Sequence, residues 1–211
     1  MIHDLTITLN EETLPFLPAG DPHMIYTHRA DHSFAPCQAS VVVIPSHMGT
    51  HVDAPLHYVK GGTSTEHVDL SAYCGEAVCL AVTDFAKDEI FDATEVLAQN
   101  ADLIKPGDIV ILSTGYEKMV GTVEYFDFPD FHENSGELFE SYGIKGIGFD
   151  SPSISLKNRA HQEVLGRGIA VIESLINLEP LIGKRFYFSA VPLKFEDGDG
   201  SPVRAYAVTD D

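Results

Sequence analysis

The chain has 211 residues, 44% of them apolar and 21% charged, a balance that suits one globular domain spanning 1–211 with a substantial buried core. Asp and Glu number 32 against 13 Lys and Arg, and the formal charge of −19 opposes binding to phosphate backbones, so nucleic acid is not an expected partner. No stretch approaches the ~20 apolar residues of a membrane span, and the first twenty residues carry Asp4, Glu11 and Glu12 without a sustained apolar run, so neither membrane nor secretory leader is expected and a cytoplasmic setting is.

Alternating or β-branched apolar runs predict strands over 5–9, 39–44, 77–82, 108–112, 146–149, 168–172 and 186–191, most of them bounded by Gly, Pro or Asp. Helical signals are fewer and short. Asp92-Ala93-Thr94-Glu95 reads as a capping box before Val96, Ser135 precedes Leu138 and Phe139, and Asn158 is placed to cap 159–165 ahead of Gly166. Strands interleaved with few helices predict an α/β domain with a mixed, strand-rich sheet. Residues 115–135 lack periodicity yet carry five aromatics, Tyr116, Tyr125, Phe126, Phe128 and Phe131, which fits a substrate-covering lid or a subunit contact better than disorder. Cys37, Cys74 and Cys79 are odd in number and have no C-x-x-C spacing, so they are given no chemical role. Asp197-Gly198-Asp199-Gly200-Ser201 looks like a calcium loop, but its twelfth position is Val208, so it is read as a hairpin turn.

The chemistry concentrates in Ser46-His47-Met48-Gly49-Thr50-His51-Val52-Asp53-Ala54-Pro55-Leu56-His57. Three imidazoles and a carboxylate in eleven residues form a nitrogen and oxygen donor set suited to zinc or manganese. His47, His51 and Asp53 cannot share one face of a helix, because a step of two points away from a step of four, so they are expected on a tight turn after the strand at 41–44. Pro55 restrains Ala54 and would aim His57 at the same point, as a catalytic base requires. Asp150, His161 and Glu173 are further candidate donors in apolar surroundings. Glu173 interrupts a run too apolar to hold a carboxylate without a cationic partner.

The pattern His47-x-Gly-Thr-His51-x-Asp53-x-Pro-x-His57 resembles the signature of the cyclase family of metal-dependent hydrolases, to which kynurenine formamidases and isatin hydrolases belong. The likeness continues through Asp4-Leu5-Thr6, Pro18 to Pro22, Phe149 to Ser153, His161 with Glu173, and 190–205. It implies a swivelling β/β/α-type fold, dimeric or tetrameric, holding one or two zinc or manganese ions per subunit. His47, His51 and Asp53 would be ligands, His161 and Glu173 would complete a second position shared with Asp53, and His57 would assist as general acid/base. The implied activity is hydrolysis of a carbon–nitrogen bond in a small molecule, most like an aryl formamidase acting on N-formylkynurenine. Alternatives are an isatin-like or other cyclic amide or lactone, and a non-catalytic binding protein that kept the site. Departures from the family pattern gather at Phe16, Tyr58 and Tyr116, which are therefore the expected substrate contacts.

Overall fold

The computed structural model describes residues 1–10, 13, 23–85 and 90–210. Among these, nine strands form one curled sheet and two more a separate ribbon, with three α-helices: β1 (Ile2–Asp4), β2 (Ile25–Ala30), β3 (Ala39–Val43), β4 (His51–Asp53), β5 (Cys74–Ala81), α1 (Thr94–Gln99), β6 (Ile109–Ser113), α2 (Ser135–Ser141), β7 (Gly146–Phe149), α3 (Ala160–Gly166), β8 (Ala170–Glu173), β9 (Arg185–Ser189), β10 (Gly200–Pro202) and β11 (Tyr206–Val208). The sheet runs β1-β11-β9-β5-β6-β7-β8-β4-β10, parallel from β5 to β8 and antiparallel on both sides, while β2 pairs only with β3. The expected mixed, strand-rich α/β architecture is what the chain adopts.

Strand alternation explains two cores. Val78, Leu80, Val110, Leu112 and Val171 face one side, where Leu97 of α1, Phe139 of α2 and Val164 of α3 cover them. Ala77, Cys79, Ile109, Ile111 and Ile172 face the other side, with Leu5, Leu175, Phe188 and Ala205. Burial on both faces is why β5 to β8 read as continuous apolar runs. The capping box does not close: the N-cap positions are Ala93 and Arg159, one residue later than expected and without side-chain caps, while Asp92 accepts from the Thr94 amide at 2.9 Å and Asn158 from the Ala160 amide at 2.8 Å just ahead of each helix.

Three further expectations need correction. Residues 5–9 are not a strand; Thr6 makes one bridge to Leu175, and the Ile7 amide donates to the Thr50 side chain rather than to a ladder. Asp197 to Ser201 does not close a hairpin, because β10 lies six places from β9 in the sheet, at the far edge, where it pairs with β4. His51 and Asp53 lie in strand β4 and not on the turn, which carries His47 alone; a step of two in a strand returns to the same face. The exposed β3 does not lead into that sheet.

Candidate metal centre

Strand β4 is the spine of the site. It lies between β8 and β10, in a register that sets His51 opposite Glu173 and Asp53 opposite Gly200. Gly49, at φ +63°, turns the chain back from His47 into β4, and a side chain there would collide with Leu9. Gly200 lies flat against the His47 ring; any Cβ at that position would come within 2.5 Å of it. Thr50, between the two motif histidines, ties the turn down by donating to the Ser174 carbonyl at 2.6 Å and accepting from Ile7 at 2.9 Å.

The donor atoms converge across the chain. His47 Nδ1 is 2.9 Å from Asp53 Oδ1, His51 Nε2 is 3.3 Å from Glu173 Oε2, and His161 Nε2 is 3.4 Å from Asp53 Oδ2 and 3.3 Å from Glu173 Oε1. Asp53 and Glu173 are fully buried carboxylates, and Asp53 Oδ2 has no hydrogen-bond partner. Second contacts fix the ligands: Tyr73 donates to the Asp53 carbonyl, and the Ile154 amide to Glu173 Oε1, both at 2.8 Å.

This arrangement fits a divalent cation on its own chemistry. His51 Nδ1 lies 2.8 Å from the Gly49 carbonyl, which can only accept, so Nδ1 carries a proton. Its Nε2 then points at Asp53 and Glu173. A lone pair facing two carboxylates demands positive charge between them, from another proton or a metal, and imidazoles with carboxylates are donors that zinc and manganese accept. Trios of ligand atoms from His47, His51 and Asp53, and from Asp53, His57 and His161, lie within 4.8 Å of one another.

Electrostatics tells the same story. Burial opposes protonation of His47, but its bond to Asp53 and then Asp199 overrides this and raises its pKa to about 9. His161 is likewise raised to about 9 by Asp53 and Glu173 against the cost of burial. Burial would lift both carboxylates, yet His161 and His47 hold Asp53 well below the usual range, and His161 and His51 lower Glu173. A bound cation would take the place of these protons.

His57 is different. It is half-buried, stacked on His47 at 3.9 Å between ring centroids, and burial lowers its pKa despite the nearby Asp53, favouring the neutral ring. Asp199 Oδ2 faces both rings, 3.1 Å from His47 Nε2 and 3.6 Å from His57 Nδ1. Sequence reading set Asp199 aside as a turn residue; its pairing signal lies in the short strand that follows it. Asp150 does not join the cluster. It accepts from the Thr114 amide and hydroxyl and from the Gly115 amide at 2.6–2.9 Å, anchoring the loop after β6.

A cavity of about 240 Å³ opens beside His47 and His51. Its walls include Ile7, Val120, Tyr125, Phe126 and Pro152, so the aperiodic segment supplies one side. Tyr116, expected at the substrate, is instead buried with Tyr125 and Phe128, its hydroxyl donating to the Asp127 carbonyl at 2.7 Å. Tyr58 stacks on His161 at 4.2 Å, against the cluster and not in the cavity wall. Phe16 lies outside the described residues.

Comparison with known proteins places the chain. The model of the Cyclase family, described as "Putative cyclase", matches residues 3–155. An uncharacterized protein of Methanocaldococcus jannaschii is 30% identical over 208 residues, 98% of each chain. Kynurenine formamidase of Delftia acidovorans is 31% identical over 175 residues, 81% of this chain and 79% of that one. Isatin hydrolase A of Labrenzia aggregata, solved with benzyl benzoate, has a TM-score of 0.85 at 24% identity, over 100% of this chain and 94% of that one, a likeness of fold.

Proposed function

The chain belongs to the Cyclase family, and from that premise we propose that it is a metal-dependent hydrolase that breaks a carbon–nitrogen bond in a small aryl amide, most like an aryl formamidase. The observation that carries this reading is the set of His51, Asp53, His161 and Glu173, buried, with His47 at its edge, whose two carboxylates converge on imidazoles and call for positive charge between them, next to a cavity of substrate size. One or two zinc or manganese ions would be held there. When bound, such a cation supplies Lewis acidity, bringing the pKa of water toward about 7 and polarising a carbonyl oxygen.

The protein's own groups do the rest. His57 is the general acid/base: with Asp199 beside Nδ1, the proton-bearing tautomer is Nδ1–H, which leaves the Nε2 lone pair to take a proton from the attacking water. The water oxygen joins the carbonyl carbon, the carbon–nitrogen bond breaks, and His57 returns the proton to the departing nitrogen. Asp53 and Glu173, ionised and out of water, fix the charge of the site, and Tyr125 and Phe126 offer an aromatic ring a surface to pack on. A second reading, hydrolysis of an isatin-like cyclic amide, uses the same atoms and is supported by the small volume of the cavity.

The proposal extends to a second copy of the chain. The β2–β3 ribbon leaves Ile25, Tyr26, Val41, Val42 and Val43 exposed, which supports a homodimer or homotetramer, checked by the mass in solution and by its change on Val42→Lys. The activity itself is tested by stripping the protein with a chelator and reloading it with zinc or manganese. Turnover of N-formylkynurenine, formanilides or isatin that returns with the metal supports the reading, whereas metal-loaded protein inert toward all of them removes it.

A further inference from the structure

Among the described residues that line the cavity there is no Lys or Arg. Its described lining comes from positions 7, 8, 10 and 13 and from 120, 121, 125 and 126, together with Pro152, Ser174 and the motif. In sequence the nearest Lys or Arg residues to the 120–126 stretch are Lys118 and Lys145, and to the residues at 7–10 it is Arg29. Among the described residues that line the cavity, the side chains other than His47 and His51 are neutral, and those two are committed to Asp53. The chain as a whole carries −19.

From these observations we propose that the site selects uncharged aryl amides, and that its substrate carries no carboxylate. This rests on the hydrolase reading above. A carboxylate at the end of the substrate away from the scissile amide, brought against Ile7, Val120 and Phe126, would lose its hydration and gain no cation from that wall, and the field of the acidic chain would repel it on approach. The volume, about 240 Å³, lies below the ~300–1,000 Å³ typical of sites for drug-sized ligands and suits a ring or a small fused bicycle. A ring-closed amide or a simple formanilide carries no charge to that wall, whereas N-formylkynurenine brings its amino-acid head.

The test is a matched pair, 4-methylformanilide and 4-formamidobenzoate, which exchange a methyl group for a carboxylate, assayed with zinc- or manganese-loaded protein whose metal content has been measured. The expected result is a kcat/KM at least tenfold higher for the neutral member, carried by KM, and a ratio cut several-fold in Val120→Arg by a gain on the carboxylated one. Equal or reversed preference in the wild type overturns the inference and leaves the hydrolase reading standing. Turnover of neither by metal-loaded protein overturns this inference, and the hydrolase reading falls with it where isatin and N-formylkynurenine are also left intact.

Discussion

The site has two halves that differ in depth. Asp53, Glu173, His51 and His161 are almost wholly buried, while His47, His57 and Asp199 stand at a rim with side-chain exposures of 18%, 27% and 45%. The buried half concentrates charge that cannot stand alone out of water and so calls for a cation; the rim keeps neutral or lightly shielded groups that can exchange protons with water and substrate. Depth separates holding charge from moving protons.

The largest break of that comparison is Asp53→Asn. It removes the carboxylate that faces three histidines and should lower metal affinity by well over the ~10–100-fold seen for outer-shell partners, with apo stability falling by about 3 kcal/mol, read by metal titration and by denaturant unfolding. Acidification is next. With His47 and His161 raised to about 9, both imidazoles are protonated below that pH and must lose those protons to bind a metal, so affinity rises with pH toward 9 and falls in acid. Calorimetry in buffers of different ionisation enthalpy at pH 7 should find about two protons released per metal-binding event; none would contradict the assignment.

Asp199→Asn touches the rim only. It should cost roughly 10–100-fold in kcat, as loss of an orienting partner does, with the acid limb of the pH–rate profile displaced and the metal retained. Tyr58→Phe should have the smallest effect. The ring stacks on His161 while 41% of the residue is exposed, so a phenyl ring keeps the packing and thermal unfolding should stay within ~0.5 kcal/mol of wild type.

The two halves were also unequally legible. His47, His51, Asp53 and His57 fall within eleven residues, where Gly49 and Pro55 announce the turns, and Glu173 betrayed itself as a carboxylate inside an apolar strand. His161 showed only as one more donor in apolar surroundings, level with Asp150, and its pairing with Glu173 at a second metal position came with the family resemblance. Asp199 was hidden because its position follows from three residues of β10 finding β4, a long-range pairing that no local periodicity records. The same limit applies to β4 and β11, each three residues long, whereas β5 to β8 were plain because burial on both faces makes them uniformly apolar. The aromatic segment was noticed, but Tyr116 was chosen where Tyr125 and Phe126 line the cavity; a 3-10 turn at Tyr116–Met119 and another at Val123–Phe126 decide which rings face inward.

The most direct measurement of the division between halves is metal content and kcat determined together on His57→Ala. Full metal occupancy with turnover reduced by about 10²–10⁴-fold is the predicted result. Loss of the metal along with the activity, or full activity without His57, would contradict the assignment of proton transfer to the rim and of the cation to the buried carboxylates.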